Sequence, residues 1–176
     1  SAIQAITATV KPIKASIAPR QLIDKTGKPS FGYFDGPVTS LATENFEYLT
    51  EMDRPASSLA KHFHFKQFQF ISLVTQNFVI GVAIADIRYA ATGFCYLYDI
   101  QNNEMLEETW LRPAGLGYKL TPSPMTGKAT IGNIEFKIND AAWSVSIKTK
   151  HIEAEIELIP PTGSLPLALC SPTGYR

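Results

Sequence analysis

Apolar and polar residues alternate along the later part of the chain with the spacing of an extended strand. Ile134, Phe136 and Ile138 fall on one side of one segment, Trp143, Val145 and Ile147 on one side of the next, and Ile152, Ile156 and Leu158 along another. Lys137, Ser144, Lys148 and Glu155 lie between them. Such a pattern predicts antiparallel strands with one face on a core and the other in water. Gly132-Asn133 and Asn139-Asp140 supply hairpin turns, and Lys128 to Ile131 reads as the preceding strand.

Upstream the pattern is denser in aromatic residues. In HFHFKQFQFISLVT, which begins at His62, Phe63 and Phe65 share one parity and Phe68 and Phe70 the other. Read as one strand, this predicts a bulge near Lys66-Gln67 that returns the aromatic residues to one face. A turn at Thr75-Gln76-Asn77 leads to a β-branched run from Phe78 to Tyr89. Ala90-Ala91-Thr92-Gly93 is the next expected turn, followed by FCYLYDI, a turn from Asp99 to Glu104, and a strand from Met105 to Arg112. Pro113 to Gly127 is loop-rich, with a short strand expected at Tyr118 to Leu120.

The first part is less regular. Ser1 to Pro29 is broken by Pro12 and Pro19 and predicts extended arms or edge strands, with a turn at Lys25 to Pro29. Ser30 to Gly36 reads as a short strand ending in Asp-Gly, and Pro37 to Ala60 has no clean period. A short helix is expected near Ser57 to His62. The fold class is therefore all-β with little helix: an antiparallel meander that becomes a sandwich or closes into a barrel, which removes exposed edges. The ending LPLALCSPTGYR is apolar up to a Pro-Thr-Gly turn and reads as interrupted.

With 176 residues and 45% apolar composition, the chain is expected to form a single domain, 1–176, with its own core. Sixteen basic residues balance sixteen acidic ones, which argues against nucleic acid as a partner. Cys95 and Cys170 form no CxxC pair and read as small apolar residues. No apolar run reaches the ~20 residues of a membrane-spanning helix. The first residue is serine, which leaves open a targeting segment already removed; localisation is open, with the cytoplasm favoured.

Candidate chemistry is sparse. On a strand, His62 and His64 would share a face, a spacing compatible with metal, but no third ligand accompanies them and His151 is distant, so no metal or cofactor is expected. Asp86, Arg88 and Tyr89 end an apolar strand and could line a cavity mouth, or form a structural ion pair. Lys66 interrupts an aromatic strand as either a ligand contact or a solvated lysine. Tyr96 and Tyr98 share a face and could stack on a ligand or pack across strands. Asp99 reads as a turn former. No catalytic residue is assigned, and none of the G-x-S-x-G, Walker, dinucleotide or H-E-x-x-H motifs is present.

Three segments carry a family resemblance: Phe65-Lys66-Gln67-Phe68-Gln69-Phe70, Gly81 to Tyr89, and Tyr96-Leu97-Tyr98-Asp99. With Phe31 to Gly36 before them and Leu165-Pro166-Leu167 after, they resemble the bacterial domain-of-unknown-function family DUF2804. That family is similar to the group of carotenoid hydratases and AttH-like proteins, which pair two lipocalin-like barrels. The resemblance implies a calycin-type barrel, the amino-terminal half of a longer two-barrel protein, with a carboxy-terminal barrel as its partner. It also implies binding of a hydrophobic small molecule, lipid or polyene-like. The alternatives are a hydratase or lyase with Asp86 and Tyr89 in acid/base roles, and a structural half that packs against the other barrel.

Overall fold

The computed structural model describes residues 14–140 and 142–172, and these are mostly strand with a single α-helix. Pro12 and the end of the Pro-Thr-Gly turn lie outside them. One sheet is an antiparallel meander of β3 (Gln67–Val74), β4 (Phe78–Asp86), β5 (Ala90–Asp99) and β6 (Glu104–Pro113). A second contains β7 (Tyr118–Leu120), β8 (Thr126–Ile131), β9 (Ile134–Asn139), β10 (Ala142–Lys148) and β11 (Glu153–Leu158), in the order β11-β10-β9-β8-β7. A third, small sheet places β2 (Gly32–Asp35) between β1 (Ser16–Ile17) and β12 (Leu167–Cys170).

The alternation in the sequence becomes the core directly. Ile134, Phe136, Val145, Ile147 and Ile156 form the inner row of the five-stranded sheet, facing Ile71, Val82, Ile84, Ala91 and Cys95 of the four-stranded one. The sheets approach closely at Gly93, where an added Cβ would lie 2.3 Å from Ile131 Cγ2. Only a residue without a side chain fits there.

Among the described residues no strand of one large sheet pairs with a strand of the other, so they form a two-layer sandwich, and the expected closure into a barrel is not seen in them. The chain changes sheets through the turn after Pro113, which has no N–H to extend a ladder.

Two boundaries differ from the sequence reading. The helix α1 (Ser58–His64) runs past His62, so Phe63 and Phe65 are not strand residues. Its cap explains the start: the Ser57 hydroxyl accepts a hydrogen bond from Ala60 N at 3.2 Å. Lys61, His62 and His64 fill the last turn, where positive charge suits the helix dipole. The parity conflict that called for a bulge disappears, because β3 begins at Gln67 and pairs with β4 without interruption from Gln67↔Asp86 to Val74↔Val79. The second difference is the β4–β5 turn. It lies at Ile87 to Tyr89, closed by Ile87 N donating to Ala90 O at 3.0 Å, and the expected turn residues Ala90 to Gly93 belong to β5.

Candidate functional site

β3 lies at the edge of its sheet among the described residues. At its start, the Gln67 amide donates to Thr121 O, just beyond β7, at 3.3 Å. Farther along, Phe70, Ile71 and Ser72 line a recess together with Trp143 of β10 and Leu158 of β11. β3 therefore runs along the border between the two sheets.

A cleft lies along this border. Its larger part, about 570 Å³, lies between Phe70 to Ser72 on one side and Trp143 and Glu157 to Pro160 on the other. A smaller part, about 370 Å³, lies between Gln67 to Phe70, Leu41 and the Leu120 to Pro124 segment. Phe70 and Trp143 border both. The lining is mainly aromatic and aliphatic, with Gln67, Gln69, Ser72, Thr121, Ser123 and Glu157 as its polar groups.

Asp86 is the buried charged side chain among the described residues, 5% exposed. One carboxylate oxygen accepts from Arg88 N at 2.7 Å and from the Tyr118 hydroxyl at 3.4 Å; the other lies 3.5 Å from the Arg88 guanidinium. Arg88 has φ 75°, donates through Nε to Phe65 O at 3.1 Å, and stacks 4.6 Å above the Phe65 ring. The left-handed backbone at Arg88 turns the chain back so that its side chain reaches its own strand's carboxylate. The cluster thus ties the end of α1, the β4–β5 turn and β7 together. Asp86 is next to the cleft, since its cross-strand partner Gln67 lines it.

The other candidate residues are dispersed. Tyr89 sits on the turn, 61% exposed, and Lys66 is exposed just before β3. Tyr96 and Tyr98 share the outward face of the four-stranded sheet. The Tyr96 ring lies over Gly81, and the Tyr98 hydroxyl donates to Asn103 Oδ1 at 2.7 Å across the β5–β6 turn. That face also carries Phe94 and the stacked pair Phe68 and Phe70, 6.2 Å apart, and Glu107 is its charged strand residue. Asp99 is a turn former, accepting from Gln101 N at 2.9 Å and Asn102 N at 3.0 Å.

His62 and His64 do not share a face, because residues two apart on a helix point about 200° apart. His64 Nδ1 instead pairs with the Tyr48 hydroxyl at 2.6 Å. The strand pattern placed Tyr118 and Trp143 on strands but did not point to their positions beside Asp86 and the cleft. Nothing local marks Tyr118 as the partner of a carboxylate 32 residues away.

Two buried groups of the four-stranded sheet face each other on its inner row. Burial, and secondarily the nearby Glu108 carboxylate, pushes the Cys95 thiol up to about 11. Glu108 Oε1 is buried without a hydrogen-bond partner among the described residues.

Two packed antiparallel sheets with a cleft along one edge define an all-β class of protein. The family model of Domain of unknown function (DUF2804) matches residues 13–173, and the chain belongs to that family. No curated protein and no solved structure matches it. No helix among the described residues is long and apolar enough to cross a membrane.

Proposed function

We propose that the protein binds a hydrophobic small molecule, lipid or polyene-like, in the cleft along β3. The observation that carries this reading is that two mainly apolar recesses along β3 share Phe70 and Trp143 in their linings and carry only a few polar groups. Each part falls within the ~300–1,000 Å³ range of ligand sites. On this reading the two sheets serve as the walls of a barrel-like container left open at β3.

Trp143 provides the test. A panel of fatty acids and conjugated polyenes is titrated while tryptophan fluorescence and thermal stability are followed, with Trp143→Phe to separate its signal from that of Trp110. A saturable fluorescence change that Trp143→Phe removes, with a higher Tm for the bound protein, is the expected result. No saturable change and no Tm shift across the panel would overturn the reading.

A second reading, a hydratase or other lyase, draws on Asp86, a buried carboxylate beside the cleft-lining Gln67 and held by a tyrosine hydroxyl. In it Tyr118, rather than the exposed Tyr89, is the acid/base companion. Asp86→Asn would abolish turnover of an added polyene substrate and leave the Tm nearly unchanged; lost stability alone would return Asp86 to a structural role. The apolar outward face of the four-stranded sheet also suits packing against a second barrel. Binding of a hydrophobic dye that Phe68→Ser and Phe70→Ser together diminish is the outcome expected of such a face.

A further inference from the structure

We propose that the edge of β3 that pairs with no other strand among the described residues takes an extended polypeptide segment as an added strand. The inference rests on the cleft being a binding site and assigns it a more demanding occupant than a hydrocarbon. The smaller recess is lined by Gln67, Phe68, Gln69 and Phe70 in unbroken succession, and the larger by Phe70, Ile71 and Ser72. Successive side chains of a strand point to opposite faces, so a recess touching every one of them runs along the strand's edge. Its wall is therefore the row of N–H and C=O groups that β3 does not give to β4. Apolar side chains accept either a lipid or a peptide; only a peptide satisfies that backbone row.

The composition of the edges points the same way. Among the described residues, every other edge of the two large sheets carries a device against strand addition. β6 contains Glu104, Glu107, Glu108 and Arg112 and ends in Pro113; β11 has Glu153, Glu155 and Glu157; β7 is three residues long. Charges, proline and shortness are the usual means of blunting an edge. β3 reads QFQFISLV, eight residues without a charge, proline or glycine. An edge left so open beside a cleft is suited to pairing.

The cleft also selects the occupant. Trp143, Leu158 and the Pro122–Pro124 segment stand opposite β3, so a single extended segment enters where the whole edge of another sheet would meet these side chains. The added strand would place apolar residues beside Phe68 and Phe70 on one face and towards Trp143 on the other. The partner chemistry is thus a six- to eight-residue uncharged segment, apolar on both faces, from another polypeptide.

The probe is a synthetic peptide copying Val79 to Ala85, which pairs with β3 on its other edge, with flanking lysines for solubility. A second peptide of the same sequence is N-methylated at alternate residues, which keeps its side chains and removes backbone donors. The purified protein is titrated with each while amide exchange in β3 and Trp143 fluorescence are followed. The expected result is protection of alternate β3 amides by the first peptide and binding weaker by roughly a hundredfold for the second. Equal binding of both peptides, or unprotected β3 amides at saturation, would overturn the proposal. So would β3 edge amides already protected in the protein alone, whether within the monomer or in a dimer seen by size exclusion. Fatty acid or polyene binding without peptide binding leaves the cleft reading standing and removes this inference; binding of neither removes both.

Discussion

Gly81 and Tyr96 face each other across the β4–β5 pair, and the tyrosine ring lies where a side chain at residue 81 would begin. A Cβ built there would sit 2.1 Å from Tyr96 Cε1. Gly81→Ala should therefore cost about 1–3 kcal/mol in urea unfolding, because the ring has to leave its place on the sheet. In a Tyr96→Ala background the same substitution should cost much less. Equal costs in both backgrounds would show that the contact does not constrain the ring.

The Asp86 cluster predicts unequal losses from its members. Asp86→Ala leaves Arg88 without its partner and the Tyr118 hydroxyl without its acceptor, and should destabilise by about 2–4 kcal/mol. Tyr118→Phe removes two long hydrogen bonds, one given to Asp86 and one accepted from Gly115 N, and should cost about 0.5–1 kcal/mol. Chemical denaturation of the two variants and their double mutant measures both. A Tyr118→Phe loss that persists undiminished in Asp86→Ala would place the hydroxyl outside the cluster.

The cysteines should react in a fixed order. Cys95 is buried in the core and its thiol is raised to about 11, whereas Cys170 is partly exposed and raised by burial alone. Alkylation of the native protein at neutral pH should label Cys170 first and Cys95 only on unfolding. The raised value also has a sign. Folding favours the neutral thiol, so its contribution is fully present below the ordinary value of 9.0 and is lost as pH rises towards 11. Cys95→Ser, which does not titrate in that range, should flatten this alkaline loss.

Asp99 organises the β5–β6 turn as an anion. Hydrogen bonds from Asn102, through its backbone and then its side chain, hold its carboxyl below the ordinary value. The turn should therefore be tightest above the usual carboxylate range and loosen as pH falls through the lowered value. Asp99→Ala should speed amide exchange at Gln101 and Asn102 and abolish that pH dependence. Unchanged exchange would mean that the ladder alone holds the turn.

The hairpins from β8 to β11 were legible because each strand buries one face, so polarity alone marks orientation and turn. The four-stranded sheet was less so. β4 buries Val82 and Ile84 inside while Gly81 and Ala83 lie beneath aromatic neighbours outside, which erases the alternation. Phe63 and Phe65 looked like strand residues because nothing in their spacing reveals the Ser57 cap or the stacking of Arg88 on Phe65. Of the site, the charged end of β4 was visible in the sequence. Its closure by Tyr118 and the wall supplied by Trp143 depend on how the sheets pack together, which local pattern does not encode.

The small sheet joins β2 to β12, strands more than a hundred positions apart, with Ala168 opposite Phe34. During synthesis, β2 emerges from the ribosome long before this neighbour exists, while every hairpin of the two large sheets can zip as it appears. Phe34, buried in the finished fold, must wait in the meantime, so closing this sheet is a step that needs nearly the whole chain.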